Sequence, residues 1–436
     1  FKIPLANCGP AAQATMPITS VMASAVSVIL FAMIPCGTGL KRPVLEMDDA
    51  SSKLHSMGSV QRPSPASLAD ADTATALKNQ FPFYHTTAEL HAALVDLTST
   101  CSGANLTMWT TSQEEEYVSI DVVHVAGFGA APINRVFLLG GEHARELIGP
   151  ETLLLFLRAL CGDVDAKVNT TVNLAELLAD NEFQVVLNAN PRSRQKVEMG
   201  DWCLRANPNG VDLNRNWDER WDKPMRLQTE RGSKPFSEPE TRILRRLVED
   251  FVPTTFLSVH SGTLGMYMPW AWSSERLASR NEESMMRVLE ALDRDHCRCP
   301  FGAAGKEVGY PCPGTSVDYV YDRLKTPYSF AFEIWGDPNE MTRLRSRWQD
   351  KITDGGLALL QTGAGLNHPH FKDVFQGSDF IQMSEDVSAK KSGDVCFGTF
   401  NPTTEELFSN TVANWAAVYM EMSAMIASDV KASAHI

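Results

Sequence analysis

Residues 135–160 read RVFLLGGEHARELIGPETLLLFLRAL. The first five form a continuous apolar run of the kind found in a strand covered on both faces. From Pro150 onward the apolar residues are spaced as in a helix. Between the two lies GGEHARE, 140–146, which sets a histidine, an arginine and two glutamates where a turn needs only its glycines. A buried strand passing through a polar lip into a helix is the repeating unit of a parallel sheet.

The same texture recurs outward from this stretch. Runs at 117–125 (YVSIDVVHV), 183–189 (FQVVLNA), 255–260 (TFLSVH) and 328–334 (YSFAFEI) predict further strands. Helical spacing appears at 85–97, with Thr86 or Thr87 as its cap, and at 150–161, 237–251, 281–296, 315–324 and 403–427. Alternating strands and helices predict an α/β fold: a single three-layer α/β/α domain over 81–430, with a mixed, mainly parallel sheet and helices on both faces. The polar, Gly-rich segment 338–393 reads as an insertion before the last helix, and 42–80, rich in Ser, Ala, Asp and Pro, as a linker or disordered segment.

At the amino end, 21–34 (VMASAVSVILFAMI) is almost wholly apolar and no charge lies between Lys2 and Lys41. Residues 1–41 read as a secretory leader, with an uncleaved signal anchor or a buried helix as the competing readings. Sequons at Asn105 and Asn169 fit a secretory route, as do nine cysteines. The expected location is therefore secreted or in a secretory or vacuolar lumen, and membrane-bound only if the apolar segment stays as an anchor. Loss of Cys8 and Cys36 with a leader leaves seven cysteines, so at least one lacks a partner within the chain. Cys297, Cys299 and Cys312 lack the second paired ligand set of a zinc knuckle and read as a disulfide or free thiols. A net charge of -14 argues against nucleic acid or an anionic membrane surface as the main partner.

Three predicted core strands end on charged or imidazole residues. His143 and Glu146 follow the run at 135–139, His260 closes TFLSVH and Glu333 closes YSFAFE. Any one of them alone reads as a polar strand end. Together they are hard to explain as packing, and in open α/β sheets ligands gather outside the carboxyl ends of strands. Two imidazoles and a carboxylate with a fourth position open to water form the ligand set of a hydrolytic zinc site, and Glu333 is left to take a proton from that water. In GVDLNRNW, 210–217, Asn214 and Arg215 offer an amide and a guanidinium fork suited to a carboxylate. Arg205 is a further permanent cation, useful opposite an oxyanion. A surface turn is the plainer reading of the Asn209-Gly210 pair.

HARE at 143–146, NPR at 190–192, GVDLNRNW at 210–217, SVHSG at 258–262, GYPCPGTSVDY at 309–319 and FAFEIWGD at 330–337 occur in a fixed order. In that order the chain resembles the zinc metallocarboxypeptidases, or funnelins, over about 84–337, and is most similar to the plant and protist branch without a large prodomain. The resemblance implies one Zn²⁺ per chain held by His143, Glu146 and His260, with Glu333 as general base. It implies Arg205 at the oxyanion and Asn214 with Arg215 on the terminal carboxylate of a peptide or protein substrate. Tyr310 would cap the bound C-terminal residue, and Arg145 would lie near the upstream residues.

The chain also departs from the family pattern. The loop after Tyr310 contains Pro311 and Pro313, stiffening a segment whose mobility the family uses, and the block after NPR lacks the usual Asp-Gly. Val317, with Ala331 nearby, stands where the terminal side chain is selected; neither is acidic, which points to an apolar residue rather than Lys or Arg. Two rival readings remain: a zinc deacylase or γ-glutamyl or isopeptide hydrolase on the same fold, and a catalytically inactive peptide-binding module.

Overall fold

The structure, a computed structural model, describes residues 75–113, 117–129, 131–223, 230–275, 277, 279–337, 339, 341–342 and 393–434. The leader at 1–41, nearly all of the linker and most of the insertion at 338–393 lie outside them. In chain order the strands are β1 (Asn105–Gln113), β2 (Val118–Ala126), β3 (Asn134–Gly140), β4 (Asn181–Val186), β5 (Thr255–His260), β6 (Thr263–Met268), β7 (Phe301–Ala303) and β8 (Tyr328–Trp335). The helices are α1 (Ala76–Gln80), α2 (Thr87–Thr100), α3 (Ile148–Leu160), α4 (Leu174–Asp180), α5 (Pro191–Glu198) and α6 (Pro239–Phe251). They continue as α7 (Glu282–Leu292), α8 (Ala304–Glu307), α9 (Ser316–Arg323), α10 (Gly393–Phe400) and α11 (Glu405–Ala434).

Side-chain alternation along the strands builds two cores. On β3, Val136 and Leu138 join one apolar cluster while Phe137 and Leu139 join another. On β5, Leu257 and Val259 face the first and Phe256 the second. Because successive residues of a strand point to opposite faces, a continuous apolar run is the signature of a strand buried on both. The first cluster is closed by α2, α3, α7 and α11, through residues such as Leu94, Phe156, Leu289 and Trp415. The second is closed by α6 and α9, through Ile243, Leu244 and Val320, together with Trp217 and Phe236. The result is the three-layer α/β/α arrangement read from the sequence.

The sheet order is β1-β2-β4-β3-β5-β8-β6-β7. The four central strands β4, β3, β5 and β8 are mutually parallel. The β1–β2, β2–β4 and β6–β8 pairs are antiparallel, so the sheet is mixed and mainly parallel at its heart.

Several boundaries differ from expectation. Helix α1 falls in the stretch read as linker, because Leu77 is fully buried and Thr75 caps the first turn through Lys78 N. The α2 cap is Thr86, whose hydroxyl accepts from Glu89 N at 3.2 Å while the Glu89 carboxylate accepts from Thr86 N at 2.8 Å. The helix expected over 281–296 stops at Leu292 and widens into a π-turn, Asp293–Cys297. Strand β4 ends at Val186, short of 189, and α11 begins at Glu405 and runs on to Ala434.

Disulfides join Cys101 to Cys161, Cys203 to Cys396 and Cys297 to Cys299, leaving Cys312 buried and free. The arithmetic of seven thus resolves into three pairs and one thiol. Among the described residues no helix is long and apolar enough to cross a membrane, and the apolar segment 21–34 lies outside them.

Candidate metal centre and active site

The strands β3, β5 and β8 are neighbours, and their carboxyl ends lie side by side. Gly140 pairs with Val259, and His260 pairs with Glu333. Just past β3 the chain turns at Gly141, whose φ is +72° and where a Cβ would sit 2.9 Å from Asn188 Cα. Only glycine fits that turn, and it brings 142–146 back across the strand ends. Sequence neighbours on one lip and residues more than a hundred positions away therefore share one site.

His143, Glu146 and His260 offer ligand atoms that all lie within 4.8 Å of one another, and all three residues are buried. His143 Nδ1 is 2.8 Å from Glu146 Oε1, and His260 Nδ1 is 3.1 Å from Glu146 Oε2. The two Nδ1 atoms are 3.1 Å apart. The opposite nitrogen of each ring points outward: His143 Nε2 is 3.1 Å from Asp212 Oδ1, and His260 Nε2 is 2.7 Å from Ser258 Oγ. Burial opposes ionisation of Glu146, but His143 and His260 outweigh it and hold its carboxyl far below the usual range. Burial likewise disfavours a charged His260 ring, yet Glu142 and Glu146 push it up to about 10. A proton and a cation would compete for that one ring nitrogen.

Glu333 completes the group from β8. Its Oε2 is buried with no hydrogen-bond partner, and burial, then the Glu146 charge, pushes the carboxyl up to about 6. Arg205 donates from Nε to Asp212 Oδ2 at 2.9 Å and brings Nη1 to 3.5 Å from Glu146 Oε1. Its carbonyl accepts from Ala144 N at 3.1 Å, tying this segment to the 142–146 loop.

Asn214 and Arg215 sit in a single 3₁₀ turn, Leu213–Arg215, capped by the Asp212 carboxylate on Asn214 N. This is no exposed polar loop: Asn214 and Arg215 are buried and Trp217 fully so. Gly314, at φ +77°, lets the 309–319 segment close on it; a Cβ there would lie 2.5 Å from Arg215 O. Asn214 Oδ1 accepts from Ser316 N at 2.9 Å, and its Nδ2 lies 3.1 Å from His260 Nε2. Val317 is buried in a small apolar cluster with Tyr267, Ala271, Ala304 and Cys312, against which Val308, Tyr310 and Ala331 pack. Burial raises the Tyr310 hydroxyl above its ordinary range, and Arg215, Arg205 and Glu333 are among its charged neighbours. Arg145 is buried beneath the loop, its guanidinium 3.9 Å from the Phe400 ring centroid and its Nη1 donating to Cys203 O at 3.2 Å.

A zinc carboxypeptidase family profile matches residues 87–353. The chain belongs to the zinc carboxypeptidase family. It is 28% identical to zinc carboxypeptidase A 1 of Anopheles gambiae over 278 residues, 58% of this chain and 60% of that one. It is 25% identical to carboxypeptidase A2 of Rattus norvegicus over 275 residues, 58% of this chain and 63% of the relative. The chain thus spans less than two thirds of the length of these relatives. In fold it is similar to bovine thrombin-activatable fibrinolysis inhibitor in complex with tick carboxypeptidase inhibitor, with a TM-score of 0.54, 20% identity and coverage of 80% of this chain and 98% of that one.

Zinc is the metal of this family, and the residues present fit it. Two imidazoles and one carboxylate, buried and converging, suit zinc rather than a hard oxygen-seeking cation. The unpartnered Glu333 oxygen beside them is a buried acceptor that a water next to a cation would satisfy. His143, Glu146 and His260 are the residues that would hold the ion.

Sequence reasoning passed over several supports of this site. Asp212 links His143 to Arg205, yet in GVDLNRNW it was given no role. Glu142 stood in the opening motif without a role. Asn401 braces the loop, donating to Arg145 O at 2.8 Å and accepting from Ile148 N at 3.0 Å. Its one signal was the Asn-Pro pair ahead of the last helix.

Proposed function

We infer that this chain is a metallocarboxypeptidase that hydrolyses the last peptide bond of peptides and proteins. The observation that carries this reading is the meeting of His143, Glu146, His260 and the unpartnered Glu333 oxygen at three adjacent strand ends, beside the buried Asn214–Arg215 turn.

Bound zinc supplies a Lewis acid that polarises the scissile carbonyl and makes water acidic enough to lose a proton near neutrality. Glu333 receives that proton at Oε2 and hands it to the departing amine nitrogen. Burial, which raises the Glu333 carboxyl, favours its holding the proton between the two transfers. Arg205, anchored on Asp212 through Nε, turns its remaining N–H groups toward the developing oxyanion. Arg215 and Asn214 grip the free carboxylate and Tyr310 covers it, so that only the terminal bond reaches Glu333. Arg145 lies toward the upstream residues. The apolar surroundings of Val317 and Ala331 support an uncharged, apolar terminal side chain. The disulfides and the exposed sequon residues Asn105 and Asn169 support a secreted or lumenal setting.

The test is a panel of peptides with free and amidated C termini, alongside N-acyl amino acids, each with and without a chelator. Chelator-sensitive release of apolar C-terminal residues from free-ended peptides alone supports the reading. Preferential cleavage of the N-acyl amino acids replaces it with the deacylase alternative, and no turnover of any substrate by zinc-loaded protein favours a binding module.

A further inference from the structure

Glu142 is a buried acid for which the reaction has no use. Its side chain has no exposure, and among the described residues its ion-pair partner within 4 Å is His260, with Oε2 3.4 Å from Nε2. A carboxylate placed there without purpose costs several kcal/mol of desolvation, roughly the penalty per buried ion. Three donors hold it: Ser258 Oγ at 2.6 Å and Ser316 Oγ at 3.2 Å on Oε2, and Trp217 Nε1 at 3.3 Å on Oε1.

We propose that Glu142 is a positioning residue for the metal centre, acting through Ser258 to fix the His260 ring with its hydrogen on Nε2 and its lone pair on Nδ1. An ionised carboxylate only accepts, so the Ser258 hydroxyl must donate to Glu142. The free lone pair of Ser258 Oγ then accepts from His260 Nε2–H, 2.7 Å away. Nδ1 keeps its lone pair, aimed at the point where His143 Nδ1 and Glu146 Oε2 also converge, each 3.1 Å from it. On the other ring Asp212 does the same directly, 3.1 Å from His143 Nε2. The relay also settles a conflict at His260 Nε2, where the Asn214 amide, a donor, stands 3.1 Å off. With the hydrogen of Nε2 committed to Ser258, Asn214 Nδ2 has nothing to bond there and is released to a substrate carboxylate.

The inference rests on the zinc reading of His143, Glu146 and His260. It is tested on the full chain by competing a chromophoric chelator for Zn²⁺ and by recording the visible absorption of the Co²⁺-loaded protein. Loss of such outer partners typically weakens metal affinity about 10–100-fold. Glu142→Gln and Ser258→Ala should each weaken Zn²⁺ binding in that range and shift the Co²⁺ bands, while the metal-free proteins melt no earlier than wild type. If Glu142→Gln does not fold, Ser258→Ala decides alone. Wild-type Zn²⁺ affinity and an unchanged Co²⁺ spectrum in the folded variants overturn the proposal; a wild-type chain that binds no Zn²⁺ overturns the zinc reading instead.

Discussion

His260 and Glu333 are direct partners across the parallel strands β5 and β8, each near the carboxyl end of its strand. The sheet thereby sets an imidazole and an acid beside each other without any contribution from loop geometry. Placement on rigid strands is what a proton-transfer residue needs, since small displacements cost large factors in rate.

Glu333→Gln keeps the volume and removes the base. It should retain zinc and lower kcat by about 10²–10⁴-fold, the usual contribution of a positioned acid-base group. Parallel zinc analysis and peptide assays check this; hydrolysis at the wild-type rate assigns the proton transfer elsewhere.

Arg215→Ala should fall mainly on substrates with a free terminus. A charge-assisted hydrogen bond worth about 1.5–3 kcal/mol corresponds to roughly a tenfold to hundredfold loss in kcat/KM. The ratio of free-ended to amidated peptide cleavage measures it, and an unchanged ratio removes Arg215 from the carboxylate grip.

Asp318 gives a pH signature remote from the metal. It is wholly buried and accepts from Ala271 N at 2.9 Å and Trp272 N at 2.8 Å, yet burial pushes its carboxyl up to about 7. The unfolded chain has an ordinary Asp near pH ~3.9. Between these values the folded state binds the extra proton, so its contribution is full below about pH 4 and is lost as pH rises toward 7. Unfolding free energies from urea curves across this range should fall for wild type by on the order of a few kcal/mol and flatten in Asp318→Asn. Parallel curves for the two proteins contradict the assignment.

The Cys101–Cys161 bridge ties the carboxyl ends of α2 and α3 across 60 residues of sequence. Replacing both cysteines with serine should cost about 2–4 kcal/mol, read from chemical unfolding. An unaltered midpoint means that the link adds no stability.

How far sequence carried the structure depends on what each residue type implies locally. Strands β3, β5 and β8 were legible because burial on both faces demands unbroken apolar runs, and a charged residue ending such a run stands out. Strand β1, NLTMWTTSQ, was not, because an antiparallel edge strand tolerates threonines and leaves Trp109 40% exposed. Strand β7 is too short to show a period, and β6, though as long as β5, is interrupted by Gly265. The ligand candidates were legible as residue types out of place. Their supports were not: Asp212 and Asn401 sit in polar segments until distant parts of the chain bury them, and Ser258 is a lone serine inside an apolar strand.

The most direct test of the central claim is zinc stoichiometry by elemental analysis of the purified chain, paired with His143→Ala and His260→Ala. Convergence of His143, Glu146 and His260 on one ion predicts about one zinc per wild-type chain and little in either variant. Wild-type protein without zinc, or variants that keep a full equivalent, would contradict it.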